Sequence, residues 1–163
     1  QVVLDHPKKK SILSMGPFFA FGPWDEPYLT IEGKPVTLND IEHRILRPIW
    51  QDHRLHYVLN CASIGCPNLN RHAYQAELID QQLAGAQVNF LRHPRAVTLT
   101  DSGKLQVTSL FDWYLIDFAQ DISGLLAYLA AQRPDLAADL SALVDEGNPK
   151  IDYVYDWDLN VVD

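Results

Sequence analysis

The stretch Asp52–Leu69 constrains the fold most, because it joins a short apolar run to both cysteines of the chain. The run Leu55–Leu59 precedes Cys61, and small or turn-forming residues surround Cys66. A short apolar run that ends in turn-forming residues is typical of a buried strand followed by a loop. We therefore predict a buried strand over Leu55–Leu59, paired on both edges, with Cys61 presented by the loop at its end.

The composition limits the class of protein. With 163 residues, of which 47% are apolar and 21% charged, the chain has the composition of one soluble globular domain. Its formal net charge of −8 argues against nucleic-acid binding, which needs clustered Lys and Arg. No stretch approaches the roughly 20 apolar residues of a membrane-spanning helix. We expect no cofactor and no metal ion, and a partner that is an unidentified small molecule, peptide or protein.

Helical patterns and hairpin signals are mixed along the chain without a regular strand–helix–strand repeat. This order favours the α+β class, with a small central antiparallel or mixed sheet and hairpins surrounded by helices. The aromatic loop with Phe18, Phe19 and Phe21 is expected to cap the core, and Gly147 to end the last helix. The predicted strands are the hairpins Tyr28–Ile31 with Pro35–Leu38 and Ala96–Thr100 with Lys104–Thr108, and a terminal strand Ile151–Tyr155. The predicted helices cover Asn39–Arg47, Ala73–Arg92, Ser109–Ala119, Leu125–Gln132 and Pro134–Asp145.

The helix that precedes the cysteine stretch has both of its ends marked in the sequence. Asn39 and Glu42 have the spacing of a capping box, which predicts the start of the helix. Pro48 disfavours helical backbone at the residue before it, so the helix is expected to end near Arg47. Glu42 and His43 then lie beside its apolar stripe.

Four segments of the chain resemble those of the domain-of-unknown-function 547 family, in the family's order and spacing and over nearly the whole length. They are Thr37–Pro48, Asp52–Leu69, Ser109–Phe118 and Tyr155–Asn160. The resemblance implies a single domain over residues 1–163 that lacks an N-terminal helix of the full family domain. Bacterial members often carry export signals, which implies a periplasmic or secreted location, with the cytoplasm as the other possibility. The family has no settled activity that the resemblance can carry over.

Cys61 is the candidate nucleophile, because a thiolate is a good nucleophile and a neighbouring histidine lowers its pKa. His56 and His43 are the candidate bases, and Glu42 is the candidate orienting carboxylate. On an extended strand His56 and Cys61 would face opposite sides, so His43 is an equally good partner. We predict that these two histidines lie nearest to Cys61, and that the backbone N–H groups after it, including that of Ser63, serve an oxyanion.

Other readings of the same residues stay open. Cys61 and Cys66 are spaced so that they can form a small-loop disulfide. Arg47 and Arg54 either bind a substrate carboxylate or pair with a carboxylate of the chain such as Asp52. The aromatic residues Trp113, Tyr114, Tyr155 and Trp157 either line a groove or belong to the core.

Two functions follow from these alternatives. In the first, the domain is a thiol-dependent hydrolase or acyltransferase of the papain or transglutaminase kind, with a Cys–His site. In the second, it is a non-catalytic binding or scaffold module of the cell envelope, with a Cys61–Cys66 disulfide.

Overall fold

The computed structural model describes residues 2–16, 22–145 and 149–160, so the expectations for Phe18, Phe19, Phe21 and Gly147 lie outside the described residues. The strands are β1 (Pro27–Ile31), β2 (Lys34–Thr37), β3 (Val97–Leu99), β4 (Leu105–Thr108) and β5 (Ile151–Val154). The α-helices are α1 (Val2–Asp5), α2 (Arg47–Trp50), α3 (Ile79–Leu91), α4 (Leu110–Trp113), α5 (Leu115–Phe118), α6 (Ile122–Gln132) and α7 (Ala137–Asp145). A π-helix covers Asp40–Leu46, and short 3₁₀-helices cover Ile12–Ser14, His53–Tyr57 and Ala76–Leu78.

Two small sheets confirm the α+β class and both predicted hairpins. β1 and β2 form an antiparallel pair, whose turn places Glu32 and Gly33 at φ values of 50° and 77°, the left-handed backbone that tight hairpins require. The second sheet has the order β3–β4–β5: β3 and β4 are antiparallel, and β5 lies parallel to β4. This sheet is therefore mixed, with β4 at its centre.

The core lies between the mixed sheet and the helices α3, α4 and α6. Alternate residues of β4, Leu105 and Val107, are fully buried, and so are Leu125 and Leu129 of α6. One face of a sheet and one stripe of a helix meet in this way because each has one apolar side to bury.

The predicted strand over Leu55–Leu59 is wrong. His53–Tyr57 forms a 3₁₀-helix, which begins where the Asp52 side chain accepts a hydrogen bond from the backbone N–H of Arg54. Tyr57 is buried and its hydroxyl lies 2.7 Å from that of Tyr128 in α6. Within the run, His56 and Tyr57 of this helical turn are buried, whereas Leu55, Val58 and Leu59 are half-buried. The fold class does not depend on it, because β3, β4 and β5 supply the sheet.

The helix before the cysteine stretch is longer than predicted and capped differently. Its capping box is formed by Thr37 and Asp40: each side chain accepts the backbone N–H of the other, at 3.1 and 3.0 Å. Asn39 makes no side-chain cap. The helix continues through Pro48 to Trp50, because the π-helical turns before it widen the backbone where the proline ring would otherwise meet the preceding turn.

The remaining helices match in kind and differ at their ends. α3 begins six residues after the predicted start at Ala73, and α6 begins three residues before the predicted start at Leu125, with Asp121 at its N-cap. The predicted helix Ser109–Ala119 is broken at Tyr114, whose φ of −121° and ψ of 28° are not helical. This break separates α4 from α5 and sets the direction of α5, which carries Asp117.

Candidate functional site

The loop after the 3₁₀-helix is held in shape by the side chain of Asn60. Its Oδ1 accepts the backbone N–H of Ala62 at 2.9 Å, and its Nδ2 donates to the carbonyl oxygen of Pro67 at 2.7 Å. Ala62 has a φ of 63°, in the left-handed region that residues with a Cβ seldom occupy. Such a backbone persists only where its surroundings enforce it. The sharp turn that follows Cys61 is therefore fixed by Asn60.

The C-terminal segment lies across this loop and brings Tyr155 to it. The backbone N–H of Gly65 donates to the carbonyl of Asp156 at 2.8 Å, and the N–H of Asn160 donates to the carbonyl of Ala62 at 2.8 Å. A Cβ at Gly65 would lie 2.9 Å from the backbone nitrogen of Asp156, so this approach needs glycine.

Cys61 is half-buried among groups that can donate hydrogen bonds to its sulfur. The sulfur lies 2.7 Å from Cys66 Sγ, 2.8 Å from the Tyr155 hydroxyl and 3.1 Å from the Ser63 hydroxyl. Hydrogen bonding from the Cys66 thiol first, and then from Ser63 and Tyr155, outweighs burial and lowers the pKa of Cys61 to about 6. The pKa of Cys66 is raised by that same hydrogen bond and by burial, so Cys61 is the thiolate of the pair.

Tyr155 stays protonated and can donate to this thiolate. Burial is the main cause that raises the pKa of its hydroxyl, and the charges of the two cysteines raise it further. The backbone N–H of Ser63 also lowers the pKa of Cys61, whereas the N–H of Ala62 is bonded to Asn60. The two expected oxyanion donors therefore have partners within the chain. The N–H of Ser63 favours the thiolate of Cys61, and the N–H of Ala62 binds Asn60 and fixes the turn.

His56 is buried and is oriented by Asp117. Its Nε2 lies 2.7 Å from Asp117 Oδ2, and its ring stacks on that of Tyr114 at a centroid distance of 4.2 Å. Burial lowers the pKa of His56 more than Asp117 raises it, so the ring is neutral at pH 7. An ionised carboxylate can only accept, so we assign the proton to Nε2, which leaves Nδ1 unprotonated.

Asp117 is itself held by Arg47. The guanidinium donates from Nε to Oδ2 at 2.6 Å and from Nη2 to Oδ1 at 3.0 Å, a bidentate pair. Burial acts to raise the pKa of Asp117, but the hydrogen bonds from Arg47 and His56 outweigh it and the pKa is lowered. The remaining arm of the guanidinium, Nη1, lies 3.0 Å from Nδ1 of His43.

All four candidate catalytic residues line one cavity of about 610 Å³. Within the part of the chain that the structure describes, no hydrogen bond joins Cys61 to a histidine. That His43 and His56 are the histidines nearest to Cys61 stays a prediction. Glu42 faces Tyr114: burial first, and then Glu42, raise the pKa of that tyrosine. The apolar wall of the cavity consists of Leu13, Trp24, Leu38, Ile41, Leu59, Leu110, Trp113 and Trp157.

The carboxylate that orients His56 is Asp117, a residue that the sequence analysis missed. The available signal was an acidic side chain inside the aromatic segment Ser109–Phe118. Glu42, the expected orienting carboxylate, contacts Tyr114, and its orienting role stays a prediction.

The candidate binding arginines pair with carboxylates of the chain. Arg54 binds Asp52 at 2.6 Å and Asp80 at 2.9 Å, and Arg47 binds Asp117. These pairs fit the structural reading of both guanidinium groups. The aromatic residues serve both readings, since Trp113, Tyr155 and Trp157 pack on one another while they line the cavity.

Within residues 2–16, 22–145 and 149–160, no group of three or more His, Cys, Asp or Glu side chains is placed to hold a metal ion, and no helix has the length and apolar character to cross a membrane.

Comparison with known proteins identifies the family. No curated protein and no solved structure matches the chain. The family model described as "Protein of unknown function, DUF547" matches residues 4–91, which include the segments Thr37–Pro48 and Asp52–Leu69 but not Ser109–Phe118 or Tyr155–Asn160. The match covers more than half of the chain, which therefore belongs to the DUF547 family of proteins of unknown function.

Proposed function

We propose that the domain is a thiol-dependent hydrolase or acyltransferase in which Cys61 is the nucleophile. One observation carries this proposal: the thiol with a pKa lowered to about 6 and the neutral His56, held by Asp117, line the same cavity. Acyl transfer by a cysteine needs a thiolate that forms near neutral pH and a base in the same site that accepts a proton.

The reaction would proceed in two steps. The Cys61 thiolate attacks the carbonyl carbon of an ester or thioester, a C–S bond forms, and the alcohol or thiol leaves and takes a proton from water. A water molecule, or another acceptor in acyl transfer, then attacks the thioester while Nδ1 of His56 takes its proton. The C–S bond breaks, the acyl product leaves, and His56 returns the proton to solvent.

The walls of the cavity favour an apolar acyl group. Eight of its 17 described lining residues are leucine, isoleucine or tryptophan, and Cys61 lies among them with polar side chains that include Asn39, Glu42, His43, His56 and Asn60. An apolar pocket with a few polar groups selects a ligand whose body is apolar and whose reactive group is polar. We therefore propose an aliphatic or aromatic acyl group rather than a charged one.

Intact-protein mass spectrometry after a short reaction with p-nitrophenyl octanoate tests the proposal. We expect one octanoyl adduct on Cys61, p-nitrophenolate release, and neither product above background with Cys61→Ala. Cys66→Ser is the matched control, because it keeps a hydroxyl donor near Cys61 and should keep the adduct. Esterolysis by Cys61→Ala at the rate of the unmodified protein would refute a role for the thiol.

A second function is favoured by the distance of 2.7 Å between the sulfur atoms of Cys61 and Cys66. A disulfide-containing oxidant would oxidise this pair by taking two hydrogens, and the two sulfurs would approach by about 0.7 Å to reach the length of a disulfide bond. The domain would then be a non-catalytic binding or scaffold module of the cell envelope, in a periplasmic or secreted setting where disulfides persist. Both thiols are free in the present structure.

The two functions differ in the redox state of the native protein. The nucleophile requires a reduced Cys61 that iodoacetamide labels before Cys66, since labelling follows thiolate fraction and access. The scaffold requires a mass lower by two hydrogens and no labelling before reduction. Protein isolated without reductant and alkylated at once distinguishes the two.

A further inference from the structure

A second cleft, of about 310 Å³, lies between the loop that follows Cys66 and the helix α3. It shares no lining residue with the cavity at Cys61 in the part of the chain that the structure describes. The loop contributes Pro67, Asn68 and Arg71, and the end of α3 is followed by His93 and Arg95. The cleft is therefore separate from the site of the proposed thiol chemistry.

The lining of this cleft is basic in a chain whose formal charge is −8. Arg71, His93 and Arg95 line it, and none of its described lining residues is Asp or Glu. Within the described ranges, neither Arg71 nor Arg95 is in an ion pair, whereas Arg47 and Arg54 each bind a carboxylate. A region of positive charge without carboxylates is the electrostatic requirement for binding an anion.

The Nε–H group of Arg95 has no hydrogen-bond acceptor in the described part of the chain. Its Nε is buried and has no hydrogen-bond partner. Its Nη2 donates to Asn68 Oδ1 at 2.7 Å, and its guanidinium lies 5.6 Å from the centroid of the Phe90 ring. These two contacts fix the planar group at the cleft, and a buried N–H without an acceptor is unusual in a folded protein.

His93 adds a second oriented donor. Its Nδ1 accepts the backbone N–H of Arg95 at 3.2 Å, which assigns the ring proton to Nε2. Burial first, and then the charge of Arg95, lower the pKa of His93, so the ring is neutral at pH 7 and Nε2 can donate. The side-chain amides of Asn68, Gln82 and Asn89 line the same cleft.

We propose that this cleft binds a small phosphate monoester. Two guanidinium groups, an imidazole N–H and amide donors match the several acceptor oxygens of a phosphate better than the two of a carboxylate. Tyr57, Tyr74 and Phe90 also line the cleft and would contact the uncharged part of the ligand. The proposal does not depend on the chemistry of Cys61.

Isothermal titration calorimetry at low ionic strength tests it, with ribose 5-phosphate, inorganic phosphate, ribose and acetate as probes. We expect saturable binding of ribose 5-phosphate, weaker binding of phosphate, and no binding of ribose. Arg71→Gln and Arg95→Gln should each weaken the binding of ribose 5-phosphate about 10-fold or more, because each variant loses a hydrogen bond to a charged group. Cys61→Ser should bind as the unmodified protein does, which separates this result from failure of the thiol proposal.

Arg44→Gln is the matched control. It removes the same charge from a side chain that is 81% exposed and pairs with Asp40, so the affinity of this variant for ribose 5-phosphate should stay within about 2-fold of that of the unmodified protein. Arg71 is exposed, so Arg71→Gln is expected to fold even if Arg95→Gln does not. An equal loss with Arg44→Gln, equal binding of ribose or acetate, or no saturable binding of ribose 5-phosphate would overturn the proposal.

Discussion

Replacing Tyr155 with phenylalanine should raise the pKa of Cys61 and slow its alkylation. The hydroxyl lies 2.8 Å from the sulfur, and Phe removes this donor while it keeps the ring that packs on Trp113 and Trp157. A hydrogen bond to a charged group contributes about 1.5–3 kcal/mol, which is about 1–2 pKa units at 1.36 kcal/mol per unit. We therefore expect the pKa of Cys61 to rise from about 6 to about 7–8.

The assay is the rate of Cys61 alkylation by iodoacetamide as a function of pH. At about pH 6.5 the thiolate fraction should fall from about three quarters to between about one quarter and one thirtieth, so the rate should fall about 3- to 25-fold. Tyr153→Phe is the control, because it makes the same chemical change in β5 at a tyrosine that, among the described residues, makes no hydrogen bond to either sulfur. An unchanged rate profile for Tyr155→Phe, or an equal shift for Tyr153→Phe, would refute a role for the Tyr155 hydroxyl.

Three further predictions follow from the packing around the site. Asp117→Asn should lower the free energy of unfolding in urea by about 2–3 kcal/mol, because it weakens charged hydrogen bonds to a buried histidine and an arginine; no loss would mean that Asp117 is a surface group. Since the pKa of His56 is lowered, the unfolded chain binds its proton first as pH falls below about 6.5, and stability should fall there. His56→Gln should reduce this dependence of stability on pH but not abolish it, because the pKa of His53 is also lowered. An unchanged dependence on pH would contradict a lowered pKa of His56. Gly65→Ala should lower the melting temperature, whereas Gly85→Ala, which meets no atom within 4 Å, should raise it slightly; equal effects would contradict the close approach at Gly65.

Local signals in the sequence predicted most of the secondary structure. Both hairpins are confirmed because their turns contain Gly33 and Gly103, which adopt positive φ at the turn. Helix ends were less reliable, since they depend on which side chain caps the backbone. Asn39 had the right residue type and spacing for a cap, yet Thr37 and Asp40 formed it.

The predicted strand failed because a short apolar run fits either a strand or a buried helical turn. The hydrogen bond of the Asp52 side chain to the N–H of Arg54 starts a helical turn, and the burial of Tyr57 against Tyr128 comes from an element 71 residues away. Neither contact has a signature within the run itself. The parity argument that separated His56 from Cys61 depended on that strand and fails with it.

The candidate site could be located from the sequence, but its partners could not, because they come from distant parts of the chain. Cys61 meets Tyr155 across 94 residues, and His56 meets Asp117 across 61 residues. The family match ends at residue 91, so the thiol and the histidine lie within it and the hydroxyl and carboxylate that tune them lie beyond it. The backbone bonds that join Asp156 to Gly65 and Asn160 to Ala62 hold these two parts together at the sulfur. The acidity of Cys61 therefore has two sources: Cys66 and Ser63 within the cysteine stretch lower its pKa most, and Tyr155 from the C-terminal segment lowers it further.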